Sequence, residues 1–194
     1  TPSSTPTGTP ILTPADTTDV GGVVTSSGYV ETDPPGVLAD TNAFDDDLNT
    51  RWYNEPSTGN WIQYTYPGTD EYIVTSYKIT TSHDAPQRDP QNFYFEGWDG
   101  ADWYVLDSQV NQFNHRTSNV QKSKTYTFTN TTGYRAYRLT FTKTAGTCGA
   151  NAIQMNELEF IGLPGAGVEP TPSPVTIVSD ISANGIGDVV SVSG

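Results

Sequence analysis

Residues 43–52 read Ala43-Phe44-Asp45-Asp46-Asp47-Leu48-Asn49-Thr50-Arg51-Trp52, and residues 153–160 read Ile153-Gln154-Met155-Asn156-Glu157-Leu158-Glu159-Phe160. The first is a loop dense in hard oxygen donors that ends on a bulky aromatic. The second is a strand with carboxylates along it. Hard oxygens at close spacing suit Ca2+, which takes about 6–8 of them from carboxylates, carbonyls or water. If the two stretches meet in space, one ion ties the loop to the last strand. The plainer reading is a solvated acidic turn.

From residue 20 to residue 161 the chain reads as short strands separated by turn chemistry. The candidates are 20–25, 61–66, 75–82, 93–98, 103–108, 124–129, 136–143 and 153–161. Tyr77 and Ile79 alternate with Ser76, Lys78 and Thr80; Tyr137, Leu139 and Phe141 alternate with Arg138, Thr140 and Thr142; Leu158 and Phe160 alternate with Glu157 and Glu159. Period two is the signature of a half-buried strand. Asp99-Gly100 between two aromatic strands is a hairpin turn. No stretch carries a sustained helical stripe. The pattern predicts an all-β fold, an eight-stranded antiparallel jelly-roll β-sandwich.

The composition agrees. The 194 residues include 11 Tyr and 4 Trp but one Met, with 34% hydrophobic residues, and aromatics with Thr favour strands. The net charge of -13 argues against nucleic acid, whose phosphates need Lys and Arg, and against anionic lipid surfaces. No window of about 18 apolar residues offers a membrane span. The one cysteine, Cys148, has no internal partner and reads as a small semi-buried thiol.

The flanks differ in kind. Residues 1–19 form a Thr/Ser/Pro-rich extended linker, with Pro at 2, 6, 10 and 14. Such tracts bury no core and are typical of extracellular stalks. The folded domain is expected over 20–163 and a second Pro-rich linker over 164–174. Residues 175–194 form a β-prone tail, read as the start of a further domain or as a strand that contacts a neighbouring copy.

The ordered motifs resemble the coagulation-factor type C, or discoidin-like, domain and the related family 32 carbohydrate-binding modules. The resemblance runs through 43–52, Trp61-Ile62-Gln63-Tyr64, the long loop from Ser82 to Phe93, the Glu96–Trp103 hairpin, Phe113-Asn114-His115-Arg116, Tyr134–Leu139 and Asn156–Phe160. It implies a galactose-binding-like jelly roll with neighbouring ends. It also implies structural Ca2+ ligands at Phe44 (through its carbonyl), Asp45, Asp47, Thr50 and Glu157. The family usually has Gly where Asp46 stands, and Asp tolerates the left-handed backbone such a turn needs.

Members of this family bind sugars through loops at one end, by an aromatic platform with fixed polar groups. The candidates here are Tyr53, His83, Arg88, Asn92, Trp98, Phe113, Asn114, His115 and Arg116. Each has a plainer reading. Arg88 and Asp89 pair to stiffen their loop, Trp98 packs across the hairpin on Trp103, and Arg116 pairs with an acid. Trp52 reads as core.

Two His and one Cys, without the common nucleophile, zinc or phosphate-loop motifs, argue against most catalysis. Paired carboxylates for glycoside hydrolysis stay open. The leading expectation is a non-catalytic module that binds a glycan or polysaccharide within a larger secreted or cell-surface protein. The alternatives are a structural or adhesive unit of an extracellular assembly, and a small glycan-active hydrolase.

Overall fold

The computed structural model describes residues 12–32, 34–113, 119–146 and 151–166. The readings made above for the tract through residue 11, for Asn114, His115, Arg116 and Cys148, and for the 175–194 tail lie outside the described residues.

The described chain is all-β. Its strands are β1 (Ala15–Asp16), β2 (Val23–Ser26), β3 (Trp52–Asn54), β4 (Asn60–Thr65), β5 (Tyr72–Thr80) and β6 (Pro90–Trp98). They continue with β7 (Trp103–Gln109), β8 (Ser123–Thr127), β9 (Ala136–Thr144), β10 (Ile153–Met155) and β11 (Glu157–Pro164). One antiparallel sheet has the order β2-β4-β9-β6-β7 and faces a second of order β1-β11-β5-β8; β3 and β10 form a short ribbon. Every pairing is antiparallel. The expected jelly-roll sandwich is present, with β1, β3 and β10 as short additions to the main strands.

Two boundaries move. The linker expected over 1–19 gives way to the fold by Ala15: Ala15 and Asp16 pair with Gly162 and Ile161. Thr17 is buried, donates its N–H to the Phe160 carbonyl at 2.8 Å, and shares a 2.6 Å hydrogen bond with Tyr66 Oη. Small polar residues close this sheet edge, so no hydrophobic alternation marks it. The strand expected over 153–161 is two strands. Asn156 leaves the ribbon, donates its N–H to the Thr80 carbonyl at 2.9 Å, and starts β11 in the other sheet. Glu157 consequently escapes the alternation that put it outside with Glu159; it is 2% exposed.

The core is built from rings packed face to face and edge to face. Tyr77 lies against Phe95 at 4.5 Å and Tyr126 at 5.0 Å, Phe95 against Tyr137 at 5.2 Å, and Phe44 against Phe160 at 5.7 Å. Trp52 is fully buried, as expected. A buried tyrosine needs a partner for its hydroxyl, and these have one. Tyr77 Oη donates to Asp107 at 2.7 Å; Tyr137 Oη donates to the Tyr72 carbonyl at 2.6 Å and accepts the Val74 N–H at 3.1 Å. Gly97 makes room for Tyr134, whose ring carbons lie 2.6–2.9 Å from where a Cβ would stand.

Tyr137→Phe keeps the ring but removes the acceptor of the buried Val74 N–H and one of the two donors to the Tyr72 carbonyl, which keeps the Tyr134 N–H. We expect a loss of about 1–3 kcal/mol in urea unfolding, with an unchanged m-value.

Candidate functional site

The two acidic stretches meet. The Leu48 carbonyl accepts the Asn156 Nδ2 amide at 2.7 Å and the Gln121 Nε2 amide at 2.7 Å. Trp52 pairs with Met155 across the ribbon. The 43–50 loop therefore caps the point where the chain passes from β10 into β11.

Within the loop, oxygens converge on Thr50. Its hydroxyl lies 2.9 and 2.8 Å from the Asp45 carboxylate oxygens and 2.9 Å from the Asp47 carbonyl. One hydroxyl proton serves one acceptor at a time, so acceptors exceed donors here. The Asp47 carboxylate turns elsewhere: it accepts the Asn49 N–H at 2.9 Å and Nδ2 at 2.7 Å, and these bonds hold its carboxyl below the usual range. Of the expected ligand set, Asp45 and Thr50 come together; Asp47, expected to offer its carboxylate, brings its carbonyl instead. The side chain of Phe44 packs on the core.

Glu157 lies beneath this loop. Its Oε2 has no hydrogen-bond partner, while Oε1 is 3.3 Å from the Leu158 N–H. Burial first, and then the fields of Asp45, Asp46 and Glu159, push its carboxyl up to about 8 against the partial relief from Leu158. A buried carboxylate with an open oxygen, facing surplus acceptors, is a donor set suited to a hard divalent cation.

Asp46 sits at φ 60, the left-handed position expected of it. Its carboxylate oxygen falls within 4.8 Å of those of Asp16 and Asp19. Burial and mutual repulsion raise the carboxyls of both N-terminal acids. The acidic character of the loop thus extends to the segment just after β1.

Arg51 follows Thr50 and carries the site to the next loop. Its Nη1 is 2.7 Å from Asp84. Asp84 also accepts Gln154 Nε2 at 2.9 Å and Ser82 Oγ at 3.1 Å. Burial alone would raise the Asp84 carboxyl; Arg51 and these hydrogen bonds outweigh it and hold it low. Beside this lattice the Arg88 guanidinium lies 4.9 Å over the Tyr53 ring, and Tyr53 Oη donates to Glu55 at 2.8 Å. His83 is exposed next to Asp84.

Tyr53, His83 and Arg88 therefore belong to one end of the sandwich. The expected Arg88–Asp89 ion pair is not formed: Asp89 is fully buried, and Arg88 stacks on Tyr53 instead. Asn92 uses its carboxamide to hold a turn, accepting the Asn111 N–H at 2.9 Å. Phe113 packs against the core. Trp98 is at the far end of β6, about 26 Å of strand away from Pro90, with its ring 5.4 Å from Trp103. It therefore lies apart from the His83 loop and takes the cross-strand packing role. Arg51, Glu55 and Gln154 were missed. Gln154, a fully buried amide between Ile153 and Met155, carried the one available signal, a polar side chain in an otherwise apolar strand.

With chelator present, Glu157 gives the fold a characteristic pH dependence. A carboxyl that binds its proton more tightly folded than unfolded stabilises fully below its ordinary value of 4.5, and the contribution is lost as pH rises to about 8. The chelated Tm should fall over that window. Glu157→Gln should remove most of that fall, and excess Ca2+ should restore the wild-type Tm. A chelated Tm as flat in wild type as in the variant, with no Ca2+ shift, contradicts the reading.

No protein-family model matches the chain. A curated Arabidopsis thaliana protein, peptide-N(4)-(N-acetyl-beta-glucosaminyl)asparagine amidase, is 31% identical over 146 residues, 72% of this chain and 19% of that protein. The chain thus spans about a fifth of the length of this relative. Among solved structures, the F5/8 type C domain of a Bacteroides fragilis protein matches with TM-score 0.60 at 11% identity, covering 77% of this chain and 95% of that one. The family 32 carbohydrate-binding module of C. perfringens NanJ, in complex with galactose, matches with TM-score 0.57 at 14% identity, covering 72% and 93%. The family 32 module of AlyQ, in complex with 4,5-unsaturated mannuronic acid, matches with TM-score 0.53 at 21% identity, covering 73% and 95%. The described domain has the discoidin-like β-sandwich fold shared by F5/8 type C domains and family 32 carbohydrate-binding modules.

Proposed function

We propose that this domain is a non-catalytic carbohydrate-binding module of a larger extracellular protein, and that a structural Ca2+ holds its 43–50 loop. The observation that carries the reading is the loop end itself. Tyr53, Arg88, His83 and the braced Arg51–Asp84–Gln154 lattice gather an aromatic ring and oriented donors and acceptors at one edge of the sandwich. A sugar offers C–H faces to rings and hydroxyls to such groups. Support comes from structural neighbours solved with galactose and with 4,5-unsaturated mannuronic acid. The amidase relative, matched over a minor part of its length, is consistent with a module appended to a longer enzyme.

Asp45, Thr50, Glu157 and the carbonyls of Phe44 and Asp47 would hold the ion. It supplies positive charge that relieves the clustered acids and fixes the loop preceding Arg51, and so stiffens the lattice that Arg51 braces. The Thr/Pro-rich and Pro-rich flanks serve in this reading as linkers, and the 175–194 tail as the start of another domain or a contact with a neighbouring copy. Among the described residues no helix is long and apolar enough to cross a membrane.

A panel of neutral and acidic oligosaccharides tests the reading by calorimetric titration. Binding of at least one class is expected, with affinity falling at least about tenfold in Tyr53→Ala and unchanged in Trp98→Ala. Binding that survives Tyr53→Ala and disappears with Trp98→Ala would move the site to the sheet face.

A further inference from the structure

We infer that the loop-end site is selective for acidic sugars, with Arg88 as the residue that reads a hexuronate carboxylate. The inference rests on the glycan-binding reading above and narrows its ligand class.

Acids outnumber bases by 22 to 9, and three of the described cations hold a carboxylate. Arg51 holds Asp84 at 2.7 Å, Lys78 holds Glu159 at 2.7 Å and Arg138 holds Glu96 at 3.0 Å. Among the described residues, Arg88 holds no carboxylate. Its guanidinium lies over the Tyr53 ring, and no acceptor among the described residues meets its donors. The nearest acid in sequence, Asp89, is fully buried and cannot neutralise it from solvent.

The surroundings fix this fork in place. Arg88 ends a short 3₁₀ turn that Pro86 opens, and its own N–H bonds to the Ala85 carbonyl at 2.9 Å. Tyr53 is steadied from the other side by the 2.8 Å hydrogen bond to Glu55. Glu55 is thereby engaged with the phenol, and Asp84 with Arg51, Ser82 and Gln154. Among the described residues, Glu55 and Asp84 are engaged elsewhere and no carboxylate meets the Arg88 fork. A guanidinium presents two parallel N–H donors that match a planar carboxylate, and such charge-assisted pairs exceed neutral hydrogen bonds in strength. The sugar ring that carries the carboxylate can lie along the exposed part of Tyr53. The net charge of -13 opposes anions at long range, but screening beyond about 8 Å at physiological salt leaves the contact itself to decide.

The test titrates the intact chain, with excess Ca2+, against an oligogalacturonate and against the same oligosaccharide with its carboxyls reduced to alcohols. The acidic form should bind about tenfold more tightly or better. Arg88→Gln should abolish that difference, and Arg88→Lys should recover only part of it, because an ammonium lacks the fork. Unchanged thermal unfolding confirms that the variants are folded. Equal affinity for the two forms, with neutral sugars bound, overturns the acidic selectivity and leaves the glycan reading standing. A preference that survives Arg88→Gln overturns the role of Arg88. Failure of every saccharide to bind overturns both readings.

Discussion

The structure depends on the contact between one acidic loop and the break at Asn156. There the chain steps from the β3–β10 ribbon into the long sheet, and the 43–50 loop covers the step through the Leu48 carbonyl. Beneath it Glu157 is buried with an oxygen left open. A buried carboxylate without a partner is costly, and more acids stand around it. In the proposed reading, a cation supplies the other half of this arrangement. Both strands of the ribbon leave this point, so what steadies the loop also steadies Trp52, Tyr53 and Gln154.

That continuity connects stability to recognition. Thr50 belongs to the oxygen cluster, Arg51 to the braced lattice with Asp84, Trp52 to the core and Tyr53 to the candidate sugar platform. Successive residues thus serve successive layers, because side chains alternate faces along β3. The opposite end of β6, with Trp98 and Trp103, is a separate aromatic surface. Arg138 lies 4.1 Å over Trp103 and is anchored on Glu96, so its cation is already matched.

Much of the fold was legible. Alternation at Tyr77, Ile79, Tyr137, Leu139, Phe141 and Phe160 marks inward positions, all of which are fully buried. Alternation says nothing where pairing relies on small or polar residues, which is why β1 and the role of Thr17 were invisible. It also misled at Glu157, because a strand break resets which face each residue takes. For the site, residue types marked the loops, but local sequence could not tell which loops share an end. Trp98 and Arg88 looked equivalent as candidates and are separated by the length of a strand. The choice of Arg88 between Asp89 and Tyr53 depends on Asp89 turning inward, a tertiary fact that adjacency in sequence conceals.

The account's central claim is that the Tyr53–Arg88 end is where a glycan binds. Backbone amide shifts of the isotope-labelled chain, followed while an oligosaccharide that binds is titrated in, test it most directly. The account predicts the largest saturable shifts at Tyr53, His83–Arg88 and Gln154, with little change at Trp61, Trp98 and Trp103. Shifts concentrated on that tryptophan face, with the Tyr53–Arg88 end silent, would contradict it.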